Sequence, residues 1–246
     1  IGVDSVTVPG VEVFDPSPGS LYWDKSDLRL VLNLTAANVP NVTNSPTGIE
    51  VRTADDVLDA VKTTALATCN GAVGESPSGS LNGKAVNTTT TFYNNREGKF
   101  IRMLEVDMRS LLNCIHLHGL FDDGQGLDND SEGGVVMHFT VKGPQSDLQN
   151  NNYGIRIRNA SQLQSNLAGA PLVQGMSIIS DQPAYILGNY NSVNKIPAAI
   201  MVDTFNVLSN NWLVNDSRST QALNNRTASN TTINSAILSG TDTTGG

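Results

Sequence analysis

The chain has 246 residues, of which 39% are hydrophobic, 15% are charged and 27 are Asn, and its formal net charge is −8. This acidic balance, without any cluster of Lys and Arg, argues against a nucleic-acid binder, because phosphates require a basic surface. The longest apolar runs, such as AAIMV at 198–202, are far shorter than the roughly 20 residues that cross a bilayer, so no membrane span is predicted.

Scarce charge and abundant Asn, Ser, Thr and Gly favour short strands joined by tight turns over long helices. Residues 1–50 fit this composition, with the extended segments DSVTV, VEVF and LRLVLNL separated by Pro, Gly and Asn. Two interpretations stay open for the strands around Val6–Val8, Val11–Phe14 and Leu28–Leu34. They pair with another subunit, or they are the first strands of the chain's own sheet.

Residues 51–120 are interpreted as a small α/β portion. A helix is predicted over TADDVLDAVKTTALAT, with Thr53 as its cap and Asp56 completing a pattern like a capping box. Val57, Leu58, Val61 and Ala65 would form its apolar stripe. A polar loop follows, and then KFIRMLEVDM is predicted to be a strand.

The segment LNCIHLHGLFDDGQGLDNDSEGG at 112–134 combines one thiol, two imidazoles and several carboxylates. As a strand it would place Cys114, His116 and His118 on one face, a ligand trio for a metal. A helix capped by Asp107 and ended by Gly119 fits better. On a helix His116 points about 160° away from His118, so no metal is expected there.

Cys69 and Cys114 are the only cysteines in the sequence. A disulfide between them would close a loop of about 45 residues and stabilise the fold by roughly 4 kcal/mol. The low charge and high Asn and Thr content favour an extracellular setting, where such bridges persist. The alternative is two unlinked thiols in a core.

Carboxylates alternate in the following loop, at Asp128, Asp130 and Glu132. Calcium binds such oxygens, so the loop is a candidate calcium site. The spacing does not match an EF-hand, and a solvated Gly-rich turn is the alternative. No other cofactor is predicted.

Residues 121–246 contain short apolar strands that recur about every 20 residues, each ended by Gly, Asn or Asp. Several stay apolar for three or four residues without strict alternation, which indicates burial on both faces. The predicted fold is therefore mainly β, a parallel β-solenoid preceded by the small α/β portion. The alternative is an antiparallel β-sandwich. Asparagine ladders are expected near Asn189, Asn191, Asn206 and Asn210.

Two segments resemble a known group of proteins: TFYNNREGKFIRMLEVDM with RSLLNCIH, and the stretch from GMSIISDQPAYILGNYN to TTINSAILSGTDTTGG. Together they are similar to bacterial surface proteins associated with type IV pili, including minor-pilin-like and pseudopilin-like proteins with a large secreted β-rich region. The resemblance covers about residues 48–246 and is most specific at 175–212. It implies an exported protein at the bacterial cell surface and carries no catalytic residue with it. The N-terminal hydrophobic helix of those proteins does not occur in this sequence.

The predicted function is structural: a subunit of an extracellular filament or a pilus-associated assembly, in which copies join by strand pairing. The expected partners are other copies or pilus subunits. The alternative is a protein that binds or acts on surface polysaccharide, with Arg156, Arg158, Tyr185 and Tyr190 as candidate ligand-binding residues. No P-loop, dinucleotide fingerprint or serine-nucleophile motif occurs, so no enzyme is predicted.

Overall fold

The structure is a computed structural model that describes residues 14–69, 84–94, 98–122, 124–144, 153–212 and 222–239. Its helices are short and lie in the first half of the chain: α1 Leu21–Asp24, α2 Ala60–Thr68 and α3 Met108–His118. A 3-10 turn lies at Leu223–Asn225. The strands are β1 Leu28–Asn33, β2 Ile49–Arg52, β3 Val86–Asn94, β4 Lys99–Asp107, β5 Val135–Lys142, β6 Tyr153–Ala160, β7 Met176–Ser180, β8 Ala184–Tyr190, β9 Ala198–Val202, β10 Phe205–Leu208 and β11 Ala236–Leu238.

Two sheets contain all these strands. The first sheet has the order β11-β9-β7-β5-β1-β2, and the second sheet has the order β10-β8-β6-β4-β3. From β4 onward, successive strands alternate between the two sheets. Neighbours pair in parallel except at one end, where β1 pairs with β2 and β3 pairs with β4 in antiparallel fashion.

The predicted fold class is wrong. The chain is a mixed α/β protein with two mixed sheets and packed helices, and it is neither the predicted β-solenoid nor the alternative antiparallel sandwich. Each sheet combines parallel pairs with an antiparallel hairpin, and α2 and α3 contribute buried side chains to the same core as the strands. The repeated strand and turn segments in the sequence predict where strands lie, but they do not predict which strands pair over long range.

Strands from all three predicted regions share these sheets. β1, from the region 1–50, pairs in parallel with β5, and β4, from the region 51–120, pairs in parallel with β6. The segment Leu28–Leu34 is therefore part of the chain's own sheet. The segments Val6–Val8 and Val11–Val13 lie outside the described residues.

One large hydrophobic core fills the space between the sheets. Alternate residues of β5 point inward, and so do their partners on the facing strands, as the period of two requires. The buried inward residues include Leu30, Val51, Val106, Met137, Phe139, Ile157, Ile178, Ile186 and Ile200. Smaller apolar clusters on the outer faces explain why several strands are apolar without strict alternation.

The residues before β1 cover the outer face of the first sheet. Trp23 is fully buried there, and its Nε1–H donates to the Ala54 carbonyl at 2.8 Å. Arg29, also fully buried, donates to the Trp23 carbonyl at 2.7 Å and forms an ion pair with Asp122. The polar groups of Trp23 and Arg29 are therefore buried together with their hydrogen-bond partners, as buried polar groups usually are.

Helix α3 has the predicted position. The Asp107 side chain accepts a hydrogen bond from Ser110 N–H at 3.0 Å, and Gly119 ends the helix in the left-handed conformation with φ 58°. Leu111, Leu112 and Ile115 are buried. All three signals are local, so the sequence alone specifies this helix.

Helix α2 begins seven residues after the predicted cap. The Asp59 side chain caps the helix by accepting a hydrogen bond from Lys62 N–H at 2.9 Å. Thr53 instead begins a turn, in which Thr53 N–H donates to the Val57 carbonyl at 2.9 Å. The predicted apolar stripe is also wrong, since Val57 and Val61 are exposed. Asp56 adopts φ 58° and forms an ion pair with Lys142, a contact that no local pattern reveals.

Among the described residues, no helix combines the length and the apolar character that crossing a membrane requires.

Candidate functional site

The edge strands at the two ends of the paired sheets differ in how far other parts of the chain cover them. At one end, β2 is the edge of the first sheet, and its outward backbone groups have partners within the chain. Val51 N–H donates to the Thr63 hydroxyl at 2.9 Å, and the Val51 carbonyl accepts from Asp59 N–H at 3.0 Å. Leu58 also forms an isolated bridge with Arg52. The segment leading into α2 therefore covers this edge, which makes it unsuitable for adding another strand.

At the other end, β10 and β11 are the last strands of their sheets within the described residues. Val207 is in register with the inward-facing Ile186, and Ile237 is in register with the inward-facing Ile200. Both nevertheless are 46% exposed. We call this surface, formed by β10 and β11, the open end, because side chains that face the core are half in solvent there.

Asparagine side chains connect the turns next to the open end. Asn210 Nδ2–H donates to Asn189 Oδ1 at 2.9 Å, and Asn189 N–H donates to Asn210 Oδ1 at 3.1 Å. Asn191 and Asn234 exchange a second pair of bonds, at 3.0 and 3.1 Å. Asn206 donates to the Ala184 carbonyl at 3.3 Å. These bonds hold successive turns in register and fix the strands of the open end relative to one another.

Three of the four candidate ligand-binding residues lie together on the outer face of the second sheet. Arg156 and Tyr185 are in register on neighbouring strands, and Arg158 follows two residues along. All three are buried, with Arg156 NH2 3.0 Å from Glu105 Oε1 and Arg158 Nε 3.7 Å from Asp107 Oδ2. Burial raises the pKa of Asp107, against the effect of its hydrogen bonds and of Arg158.

Tyr190, the fourth candidate, lies apart in the large core between the sheets. Its side chain is fully buried, and burial raises the pKa of its hydroxyl. These four residues are therefore not arranged as a groove that a sugar reaches directly, and their role in binding stays a prediction.

The loop between α3 and β5 places Asp128, Asp130 and Glu132 in solvent. Glu132 forms an ion pair with Lys25 at 2.9 Å. The loop is held by Asn129, which is buried and donates to Asp27 Oδ1 at 2.7 Å. The three carboxylates do not form a group with ligand atoms within 4.8 Å of one another in the described chain. Calcium stays a prediction for this loop.

A disulfide joins Cys69 and Cys114, the pair for which the sequence predicts a bridge, with a Cα–Cα distance of 5.8 Å. It connects the residue that caps the end of α2 to the middle of α3. His118 lies one turn after Cys114 on α3. Within the described residues, these three form the one group of His, Cys, Asp and Glu ligands whose atoms lie within 4.8 Å of one another.

Two titratable residues lie on the outer side of the first sheet, His138 fully buried and Asp181 half-buried. His138 is fully buried and its Nε2–H donates to the Phe14 carbonyl at 3.0 Å, while burial lowers its pKa to about 3. Burial raises the pKa of Asp181, which follows β7, to about 6. No short motif marks either residue, because their burial depends on the N-terminal segment that covers this face.

Comparison with protein-family models, with curated proteins and with solved structures finds no match to this chain.

Proposed function

We propose that this protein is an extracellular structural protein, a subunit of a bacterial surface filament or pilus-associated assembly whose copies join at the open end. The observation that carries the proposal is the half-exposure of Val207 and Ile237, two side chains that point toward the core. Burying each of them against a neighbour would stabilise the contact by about 1 kcal/mol.

The partner that best fits the open end is a second copy. In the described part of the chain, β10 is the edge strand at one end of the second sheet, and β3 is the edge strand at its other end. Pairing β10 of one copy with β3 of the next would continue the second sheet from molecule to molecule. Such a contact joins two different surfaces, so it gives a ring or an open row of copies and not an isologous dimer.

Other features are consistent with an extracellular location. The chain contains the Cys69–Cys114 disulfide. Disulfides persist in oxidising settings and are rare in the cytosol. The net charge of −8 over 246 residues keeps single copies soluble without preventing close contact between them. The resemblance of residues 175–212 to pilus-associated surface proteins points to the same location.

A role in polysaccharide binding is less favoured. It would use Arg156, Arg158 and Tyr185, and the side chains of all three are buried. Arg156 and Arg158 also lie beside Glu105 and Asp107. A sugar therefore lacks the exposed aromatic and charged groups that such sites present.

The assembly proposal is tested with lysine substitutions at the open end, because a charge on an edge strand opposes strand addition. The oxidised protein is concentrated and examined by negative-stain electron microscopy and sedimentation velocity. We expect rows or filaments for the wild type and monomers for Val207→Lys and Ile237→Lys. Leu172→Lys is the matched control, because Leu172 is exposed in a loop away from both edges.

Circular dichroism confirms first that each variant keeps its fold. A wild type that stays monomeric at the highest concentration reached would contradict self-assembly. Assembly by Val207→Lys and Ile237→Lys to the same extent as the wild type would rule out the open end. Cleavage or retardation of an acidic polysaccharide by the monomer would favour the alternative function.

A further inference from the structure

The disulfide lies beside a histidine side chain on the last turn of α3. Cys69 Sγ, Cys114 Sγ and an imidazole nitrogen of His118 all lie within 4.8 Å of one another. The two cysteines are buried, whereas His118 is exposed. A disulfide requires only the two sulfur atoms, so the imidazole is an additional donor at the same place.

We propose that the reduced form of this chain binds a thiophilic divalent metal, Zn²⁺, through Cys69, Cys114 and His118. A thiol or phosphine reductant supplies two electrons, the S–S bond breaks, and each sulfur takes up one proton. Zn²⁺ then displaces these two protons and binds two thiolates and the neutral imidazole. The disulfide and the metal use the same sulfur atoms, so the two forms exclude each other.

The distances suit a tetrahedral ion. With Zn–S bonds of about 2.3 Å and Zn–N bonds of about 2.0 Å, ligand atoms around zinc are about 3.5–3.8 Å apart. Separation of the two sulfur atoms after reduction and a small movement of the exposed His118 ring reach this geometry.

The local backbone also favours a cation at this point. Cys114 and His118 are four residues apart on α3, so they lie on the same face of its last turn. Cys69 occupies the C-terminal cap of α2. Two helices therefore direct the negative ends of their dipoles toward the site, which stabilises a bound cation.

Co²⁺ is the probe for the test, because its absorption reports both thiolate ligation and tetrahedral geometry. The full chain is reduced with a phosphine, freed of metal and titrated under nitrogen. We expect one equivalent of Co²⁺ to bind to the reduced wild type, Zn²⁺ to displace it, and the oxidised protein to bind none. His118→Ala should weaken binding by at least about tenfold, the lower limit seen even for supporting groups.

His116→Ala is the matched control, because His116 is on the same helix but points away from Cys114 and should leave affinity unchanged. The double variant Cys69→Ser/Cys114→Ser should show no thiolate band. If reduction alone unfolds the chain, Zn²⁺ should restore the circular dichroism spectrum of the wild type but not that of the double variant.

Several results would overturn the metal site. They are a reduced, folded wild type without Co²⁺ bands, a His118→Ala variant with wild-type affinity, or a reduced and unfolded chain that Zn²⁺ does not restore. The site shares no residue with the open end, so its failure would leave the assembly proposal unaffected, and the reverse also holds.

Discussion

At the scale of single residues, the covered outer face of the first sheet has the most unusual chemistry. A neutral His138 and a carboxyl group with a raised pKa, Asp181, lie on the same side of neighbouring strands. Gln182 donates to Asp181 Oδ2 at 2.7 Å, which offsets only part of the cost of burying the charge. Asp181 therefore lowers stability whenever it is ionised.

Asp181→Asn should stabilise the protein at neutral pH. Its folded pKa is about 6 against 3.8 unfolded, so the stability that protonation provides is lost as the pH rises through 6. At pH 7.5 the variant should be more stable than the wild type by about 1–2 kcal/mol in urea unfolding, with the advantage disappearing near pH 4.

Asp128→Asn in the exposed loop is the control and should leave stability nearly unchanged at both pH values. The lowered pKa of His138 has the opposite effect on the pH dependence, because it reduces stability in acid. This contribution is the same in the variant and the wild type, so comparing the two at each pH removes it. A variant that is less stable than the wild type at pH 7.5 would show that the ionised carboxylate is a net stabilising group.

At the scale of elements, local signals predict α3 but not α2. Asp107, Gly119 and the apolar stripe of α3 act within one helix, so the sequence alone is sufficient. The start of α2 depends on Leu58, which bridges to β2, and on Asp56, which pairs with Lys142 from β5. The pairing of Asp56 with Lys142 spans 86 positions, so a capping pattern at Thr53 does not reveal it.

The backbone approaches closely at Gly134 and Gly175, the residues just before β5 and β7. Gly134 has φ 131°, and a Cβ atom there would lie 2.2 Å from the backbone of Gly175. Gly134→Ala should therefore destabilise the fold by about 2–5 kcal/mol, through backbone strain together with overpacking. Thermal and urea unfolding measure this loss.

Gly169→Ala is the control for backbone strain alone, because Gly169 also has a positive φ, 79°, but has open space around its Cβ position. It should cost about 1–2 kcal/mol. Equal losses for the two variants would mean that the approach of Gly134 to Gly175 contributes nothing.

The disulfide links α2 to α3 across 45 residues. With a chelator present, the variant Cys69→Ser/Cys114→Ser should lose about 4 kcal/mol of unfolding free energy, because the unfolded chain gains the freedom of an open loop. Urea denaturation of the wild type in reductant and chelator should give the same midpoint. A variant as stable as the oxidised wild type would show that the bridge does not constrain the unfolded chain.

At the scale of the whole molecule, the sequence reveals strands but not how they combine. The strand segments after residue 133 are found correctly, since alternating and continuous apolar runs are local properties. The pairing of Leu30 with Phe139 joins residues more than a hundred positions apart, and nothing at either position specifies it. The antiparallel pairings of β1 with β2 and of β3 with β4 are missed for the same reason.

In the candidate site too, the sequence predicts some features and not others. Asn189 and Asn210 are recognisable as ladder residues because Asn favours turns. Val207 and Ile237 look like any other strand residues, and their exposure follows only from their strands being last in each sheet. Sequence patterns therefore identify the residues that brace the open end but not the surface itself.

The open end also connects association with folding. Strands β10 and β11 complete their burial only when another surface covers them, so a neighbour that docks there binds the folded chain and not the unfolded one. Under the assembly proposal, each added copy raises the melting temperature of the copy that it covers, and dilution alone reduces the thermal resistance of the whole row.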